Sequence, residues 1–182
     1  MAEYSYELKI PLARVAVVIG KGGTVKKEIE DTTGTKLQID SAEGDVFITG
    51  EDALGLYTAR EVITAIGRGF NPELAKLLLK QDYATEQIDI EDYAKTKKHE
   101  IRVRGRVIGA EGKARKIIEE LTECHVSVYG KTITIIGEIE GVTTCKRAIE
   151  KLLGGSQHSG VYRWLEKQRK EMKRKRAISQ FE

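Results

Sequence analysis

A duplication within the chain constrains its fold more than any other feature of the sequence. Residues 18–29 read VIGKGGTVKKEI and residues 107–118 read VIGAEGKARKII, so the two segments match at a spacing of eighty-nine positions. The match continues for ten more residues and then resumes at a spacing of eighty-seven, because a loop in the second copy is two residues shorter. Since repeated sequence units adopt repeated structural units, the sequence predicts two domains of one fold.

Each copy carries the same predicted order of elements: strand, short helix, glycine loop, helix, two strands and a longer helix. The predicted first strands are 4–10 and 99–104; in the latter, Ile101 and Val103 alternate with arginines, as in a half-buried strand. In the first copy the other predicted elements are a short helix at 13–19, a helix around 25–29, strands at 37–39 and 46–48, and a closing helix at 51–66. In the second copy they are a short helix at 105–108, a helix around 114–121, strands at 126–128 and 133–135, and a closing helix at 140–153. Such a unit forms a three-stranded sheet with helices on one face, which predicts an α+β protein.

The predicted domain organisation places these copies at 1–70 and 99–155, joined by a helical and acidic linker at 71–98 and followed by a basic helix at 156–182. In the linker, Asn71 and Pro72 are typical of the start of a helix, here at about 73–80. The polar stretch 83–98 is expected to connect the copies over the surface. The final helix is expected to begin near Val161 and to dock through Tyr162, Trp164 and Leu165.

The net charge of +3 over 182 residues is an average of two different regions. Residues 163–176 contain eight lysines or arginines and two glutamates, so this segment carries +6 and the rest of the chain −3. The basic segment fits a solvated helix end as well as an RNA contact. Composition alone is therefore a weak argument for a nucleic-acid partner.

Composition excludes several classes of protein. With 40% apolar and 32% charged residues, the chain is typical of a globular protein rather than a disordered one. No run of about 18 apolar residues is present to cross a membrane, and the first residues lack the basic and apolar stretches of a signal peptide. Cys124 and Cys145 have no metal-ligand spacing and suit a reducing compartment, which predicts a cytoplasmic protein.

The glycines at 20–23 and 109–112 predict two phosphate-binding loops. A loop without Cβ atoms can approach a ligand closely, and the unpaired N–H groups at the start of the following helix attract an anion. Basic residues flank both loops. The candidate residues are Gly20, Lys21, Gly22, Gly23, Lys26 and Lys27 in the first copy, and Arg102, Arg104, Arg106, Gly109, Ala110, Glu111, Gly112, Lys113, Arg115 and Lys116 in the second.

Other known phosphate loops do not fit the spacing. A P-loop ending at Gly130-Lys131-Thr132 needs a glycine at position 125, which is His125, and a dinucleotide fingerprint from Gly20 needs a glycine at Val25. No metal-ligand cluster and no nucleophile with a base accompanies the loops. The sequence therefore predicts a protein that is not an enzyme, with no catalytic residue, metal or cofactor.

The paired Val-Ile-Gly-x-x-Gly segments resemble the loop of the type I KH domain, whose elements run strand, helix, helix, strand, strand, helix. In that family the loop clamps the backbone of about four nucleotides. The resemblance implies an apolar groove for the bases, with Lys131 in a turn near the second groove. The implied groove walls are Ile19, Val25 and Ile39 in the first copy and Ile108, Ala114 and Val128 in the second.

The two-copy arrangement, together with Gly-Lys-Ala-Arg-Lys at 112–116, also resembles the archaeal two-KH family of ribosome-assembly proteins. These are counterparts of the eukaryotic pre-rRNA processing factor called Partner of NOB, and the similarity extends over about residues 6–176. One position departs from the pattern, because Glu111 places an acid in the second loop. A like charge near phosphate costs on the order of 1 kcal/mol before screening.

The resemblance implies an RNA-binding protein that holds single-stranded RNA near the 3′ end of small-subunit rRNA through both loops. It would position that end for a separate processing nuclease and other assembly factors, with no membrane or small-molecule ligand. An alternative is an adaptor in which one KH unit docks a protein, as the acidic body and Glu111 would favour. A third class, an enzyme acting on RNA or nucleotides, lacks catalytic residues in this sequence.

Overall fold

A computed structural model describes residues 4–180, and the chain divides into two compact units at the junction between residues 85 and 86. Each unit holds one of the repeated segments. No helix within residues 4–180 is both long and apolar enough to cross a membrane.

The first unit follows the predicted order of elements closely. Gly34 ends the second helix in the left-handed conformation (φ 65°), which glycine adopts without strain. The predicted N-cap Asn71 is confirmed, since its Oδ1 accepts the N–H of Leu74 at 2.9 Å. The elements are β1 (Tyr4–Lys9), α1 (Leu12–Ile19), a 3-10 turn (Lys21–Gly23), α2 (Thr24–Thr33), β2 (Thr35–Ile39), β3 (Asp45–Gly50), α3 (Ala53–Gly67), α4 (Pro72–Ala75) and a second 3-10 turn (Lys76–Leu79).

The sheet of the first unit has the order β1-β3-β2, with β3 antiparallel to both neighbours. Leu37 pairs with Ile48, and both are buried beneath the helices, which pack on one face. Phe47, on the opposite face, is 40% exposed. The predicted three-stranded sheet with helices on one face is therefore confirmed.

The second unit repeats this plan. Its sheet has the order β4-β6-β5, which is the order of the first sheet with the strands renumbered. Cys124 and Cys145 are free thiols in its core, 2% and 0% exposed. Its first strand begins three residues before the junction. The elements are β4 (Tyr83–Asp89), a 3-10 turn (Ile90–Asp92), α5 (Lys97–Ile108), a 3-10 turn (Ala110–Gly112), α6 (Lys113–Thr122), β5 (His125–Tyr129), β6 (Thr132–Glu138), α7 (Ile139–Leu153) and α8 (His158–Ser179).

The repeat extends to individual hydrogen bonds. Glu30 on α2 accepts the backbone N–H of Leu37 at 2.7 Å, and Glu119 on α6 accepts that of Val126 at 2.7 Å. Both the acceptors and the donors are eighty-nine positions apart. Each glutamate ties the helix that follows the glycine loop to the next strand, so the same contact orients the loop in both units.

The strand predicted over 99–104 is wrong, because these residues lie within α5. Val103 and Val107, four residues apart, are 2% and 0% exposed, whereas Ile101 is 56% exposed. Two apolar residues in alternation fit a strand or a helix equally over so short a stretch. Burial of the pair at helical spacing decided between them.

The helix predicted at 105–108 is therefore the last third of a longer one. Thr96 begins it, since its side-chain oxygen accepts the N–H of His99 at 3.2 Å. A threonine followed by a helical run is a recognisable start signal in the sequence, and the alternation obscured it.

The surface connection predicted over 83–98 is also wrong in its first half. Residues 83–89 form β4, the edge strand that pairs with β6 in the second sheet. Ile88 is the buried residue of this strand, and its other side chains are partly or fully exposed. An edge strand that buries so few side chains can have a polar sequence. Because this sequence does not alternate clearly between apolar and polar residues, it did not indicate a strand.

Helix α8 begins at His158, three residues before the predicted start. Val161 and Leu165 are 2% and 0% exposed, and Tyr162 and Trp164 pack against the core of the second unit. The predicted docking of this helix is confirmed.

Candidate nucleic-acid interface

The two glycine loops have the same backbone conformation, although their sequences differ at two of four positions. Three of the four residues in each loop have positive φ. At the first position, φ and ψ are 74° and 172° in Gly20 and 73° and 176° in Gly109. At the third position, they are 62° and 23° in Gly22 and 52° and 28° in Glu111. At the fourth position, they are 79° and 13° in Gly23 and 74° and 14° in Gly112.

The first glycine of each loop is required by packing. A Cβ at Gly20 would lie 2.8 Å from the backbone nitrogen of Val25, and one at Gly109 would lie 2.7 Å from that of Ala114. Both glycines also have φ and ψ values that essentially only glycine adopts. They allow the chain to turn directly from one helix into the next.

The later glycines face open space. A Cβ at Gly22, Gly23 or Gly112 would meet no atom within 4 Å. Neither α2 nor α6 has a side-chain cap at its N-terminus. The loops therefore present accessible backbone at the positive ends of two helices, where a phosphate binds favourably.

Glu111 is held in the left-handed conformation that a glycine occupies in the first loop. Its φ is 52°, an uncommon value for a residue with a side chain, and the residue is exposed. The strain and the negative charge both act at the place where phosphate is expected. Judged by its four loop residues alone, the second loop is therefore a less favourable anion site than the first.

We expect the substitution Glu111→Gln to raise the affinity for single-stranded RNA by about 2- to 5-fold, corresponding to at most about 1 kcal/mol of removed repulsion. Gln has nearly the same shape, so the loop conformation and the free energy of unfolding should not change. Fluorescence anisotropy with a labelled RNA at low salt measures the gain, which should fade at high salt. Glu140→Gln, at an exposed acid on α7, is the matched control; an equal gain there would contradict a local effect.

Lysines supply the unpaired positive charge around both loops. Five of them form no ion pair or side-chain hydrogen bond with any residue from 4 to 180. They lie in the loops or in the first turn of the helix that follows, and Lys26 alone among them is partly buried. These residues are Lys21, Lys26, Lys27, Lys113 and Lys116.

Arg106 has partners of another kind. Its Nε donates to the backbone oxygen of Leu152 at 3.0 Å and its Nη2 to that of Ser156, which closes the end of α7. Arg14, which the sequence analysis did not single out, does the same in the first unit, donating to the oxygens of Ile66 and Phe70 at 2.8 and 2.6 Å.

Arg14 and Arg106 are ninety-two positions apart, about one helical turn more than the repeat spacing of eighty-nine. Their acceptors are eighty-six positions apart in both pairs, which is the spacing between α3 and α7. A phosphate contact by Arg106 would have to share or break these bonds.

We expect Arg106→Gln to lower the free energy of unfolding by about 1–2 kcal/mol, because two charge-assisted hydrogen bonds to main-chain carbonyls are lost. Arg104→Gln is the control, since Arg104 makes one long bond, 3.3 Å from Nη1 to the oxygen of Gly130. Urea denaturation monitored by circular dichroism compares the two. Equal stabilities would contradict the structural role of Arg106.

Two further predicted site residues have acidic neighbours. Lys131 pairs with Glu91, and this hydrogen bond raises the pKa of the Lys131 ammonium. The Nε of Arg115 lies 3.9 Å from Oε2 of Glu119. Glu91 was missed because it follows β4, in the stretch predicted to be a surface connection. The Lys131–Glu91 pair is largely exposed, whereas the side chains of Arg115 and Glu119 are 39% and 25% exposed. Each pair weakens the local positive charge without removing it.

The remaining predicted residues are placed as follows. The groove residues Ile19, Val25, Ile39, Ile108 and Val128 are partly exposed, while Ala114 is 4% exposed and packs under Gly109. Arg102 and Ala110 are exposed. Within residues 4–180 no three His, Cys, Asp or Glu side chains are grouped to hold a metal ion.

Models of known domain families match both units. The KH domain matches residues 5–65, and the eukaryotic-type KH domain (KH domain type I) matches residues 84–170. The KH domain-containing protein MJ0443 of Methanocaldococcus jannaschii is 51% identical over 173 residues, which is 93% of this chain and 76% of that protein. The chain therefore belongs to the KH-domain family, with two tandem KH domains of a class that binds nucleic acid.

Three solved structures from archaea are similar to this chain. Dim2p from Pyrococcus horikoshii is 48% identical, with a TM-score of 0.83 over 90% of this chain and 99% of that one. A chain of the a/eIF2alpha–aDim2p–rRNA complex from the same organism is 47% identical, with a TM-score of 0.86 over 93% and 96%. A protein of unknown function from Aeropyrum pernix is 35% identical, with a TM-score of 0.93 over 100% and 98%. The predicted resemblance to archaeal two-KH proteins, with Dim2p as the counterpart of Partner of NOB, is confirmed.

Proposed function

We propose that this chain binds single-stranded ribosomal RNA through both glycine loops and acts in the processing and assembly of the small ribosomal subunit. The RNA is the 3′ region of the small-subunit rRNA, which the protein holds for a separate nuclease in the cytoplasm. The protein itself performs no catalysis in this proposal.

The observation that carries this proposal is the shared backbone of the two loops. The first loop has open space beside its third and fourth positions and the second loop beside its fourth, and both carry lysines without partners within residues 4–180. Open backbone next to a helix N-terminus accommodates a phosphate, and a neighbouring half-buried apolar surface accommodates bases. The presence of rRNA in the solved complex of a relative that is 47% identical supports RNA as the ligand.

Crosslinking tests the proposal directly. The full chain is irradiated with the small-subunit rRNA of an archaeal relative, and both the crosslinked peptides and the RNA are sequenced. We expect peptides spanning 19–27 and 108–116 and RNA from the single-stranded 3′ region. Crosslinks spread evenly along the rRNA, or confined to peptides outside both loops, would overturn the proposal.

Salt dependence provides a second readout. Each phosphate contact to single-stranded RNA contributes about −0.7 to the slope of log K against log salt. Two loops that each hold two or more phosphates predict a slope of about −3 or steeper. A slope near zero would contradict phosphate clamping, since apolar contacts alone do not release counterions.

A protein-docking role is the second candidate, favoured by one observation on the first unit. The guanidinium of Arg60 lies between the rings of Tyr6 and Tyr57, 5.0 and 5.1 Å from their centroids. These rings are 40% and 53% exposed beside edge strand β1. A pull-down from nuclease-treated lysate distinguishes the candidates: partners that survive removal of RNA and are lost on Tyr6→Ala with Tyr57→Ala support docking.

A further inference from the structure

The exposed side of helix α8 carries a row of four positive charges. Arg163, Lys167, Lys170 and Arg174 follow one another at intervals of four, three and four residues, and all four are exposed. Residues at this spacing share one face of a helix. At about 1.5 Å per residue the row is on the order of 16 Å long.

The opposite side of the same helix is fixed to the second unit. A second row of residues lies two positions before or after the members of the cationic row: Val161, Leu165, Gln168, Met172 and Arg176. Val161 and Leu165 are fully buried. A shift of two residues corresponds to about 200° around a helix, so the two rows lie on opposite sides.

Both ends of the basic segment are anchored. Near its start, Leu165 is 0% exposed. Near its end, Arg176 bonds to Oε2 of Glu138 at 2.8 Å and lies 3.3 Å from Oε2 of Glu123. The cationic row is therefore a face of a packed helix, held at a set orientation on its unit, and differs from a free basic tail.

The four cations of the row have no partners within residues 4–180. Glu166 and Glu171 lie on either flank of the row, and neither forms an ion pair with it. Like charges three and four residues apart destabilise a helix by about 0.2–0.5 kcal/mol per pair. Glu166 and Glu171, each three or four residues from two members of the row, offset part of this repulsion, and the four cations with these two acids still sum to +2. A polyanion across the row would relieve the repulsion that remains.

The row fits a base-paired RNA better than a single strand. Single-strand sites combine a basic groove with aromatic side chains on which bases stack. The row is convex and contains no aromatic residue, because Tyr162 and Trp164 lie on the docked side of the helix. Double-stranded RNA is recognised through its shape and its phosphates, and a straight line of cations suits this.

We propose that the outer face of α8 binds the phosphate backbone of a base-paired RNA segment without sequence preference. This inference rests on the proposed function, since the duplex would adjoin the single strand held by the glycine loops. The chain would then read a junction between a duplex and a single strand with two separate surfaces.

The test compares two RNAs and three forms of the full chain. The RNAs are a 12-base-pair hairpin without a tail and an unstructured 12-nucleotide strand. One variant, called the stripe variant, neutralises the cationic row with Arg163→Gln, Lys167→Gln, Lys170→Gln and Arg174→Gln. Gln retains helix propensity. The matched control neutralises four exposed cations elsewhere: Lys36→Gln, Lys95→Gln, Lys98→Gln and Arg147→Gln. Circular dichroism confirms that helix content is unchanged.

We expect the stripe variant to lose at least 10-fold in affinity for the hairpin and to reduce the magnitude of its salt slope by about 3, while its affinity for the single strand stays within 2-fold. The control should stay near the wild type on both RNAs.

Equal hairpin affinity of the stripe variant and the wild type would overturn the inference and leave the proposed function intact. An equal loss of binding to poly-glutamate would show a general polyanion surface and also overturn it. Failure of the wild type to bind the single strand would count against the glycine loops instead.

Discussion

Replacing Lys21, Gly22, Ala110 and Glu111 together by Asp is expected to reduce the affinity for single-stranded RNA at least 100-fold. This loss corresponds to about 3 kcal/mol. The changes place carboxylates at the open edge of both loops, where a phosphate would otherwise meet backbone N–H groups and lysines. Fluorescence anisotropy with a labelled single strand at about 100 mM salt measures it.

The fold should survive these substitutions. A Cβ at Gly22 meets nothing within 4 Å, and Asp adopts the left-handed conformation more readily than most residues. Lys21, Ala110 and Glu111 are exposed. The control variant Lys36→Asp with Lys95→Asp changes the net charge by the same four units at exposed positions outside the loops. Undiminished binding by the quadruple variant, or an equal loss in the control, would refute the role of the loops.

Gly109→Ala is expected to destabilise the second unit by about 3 kcal/mol, whereas Gly112→Ala should cost only about 1 kcal/mol. The added Cβ at Gly109 would lie 2.7 Å from both the nitrogen and the Cβ of Ala114, in a conformation that disfavours any side chain. At Gly112 the space is open, and the cost is that of a left-handed alanine alone.

Tryptophan fluorescence in urea measures this difference, because the single Trp of the chain, Trp164, packs against the core of the second unit. The two variants make the same chemical change three residues apart in one loop. Similar midpoints for both would show that close packing at the first glycine does not matter. Loss of RNA binding by Gly112→Ala without loss of stability would instead mark the fourth position as a ligand contact.

The repeat predicted most of the fold because its signals are local. Glycines with positive φ, an N-cap such as Asn71, and apolar residues at helical spacing all act within a few positions of the chain. The same signals in two copies supported each other, and both loops adopt one conformation even though Glu111 replaces a glycine. What the prediction missed, β4 and the first turns of α5, lies where the two copies differ.

These errors have a physical cause. The sequence of β4 is polar because an edge strand buries few side chains, so its identity depends on hydrogen bonds to β6 that no local pattern records. The alternation of Ile101 and Val103 was consistent with a strand until packing buried Val103 with Val107. In both places long-range contacts overrode a weak local preference.

The sequence by itself determined that the chain holds two like units, each with a glycine loop between helices and with lysines beside it, because spacing and residue type suffice for these features. Only the tertiary structure decided which cations remain free for a ligand. Arg106 is committed to two carbonyls of its own unit and Lys131 to Glu91, whereas Lys21 and Lys113 have no partner within residues 4–180. Charge is a property of each residue, but its availability depends on neighbours that are distant along the chain.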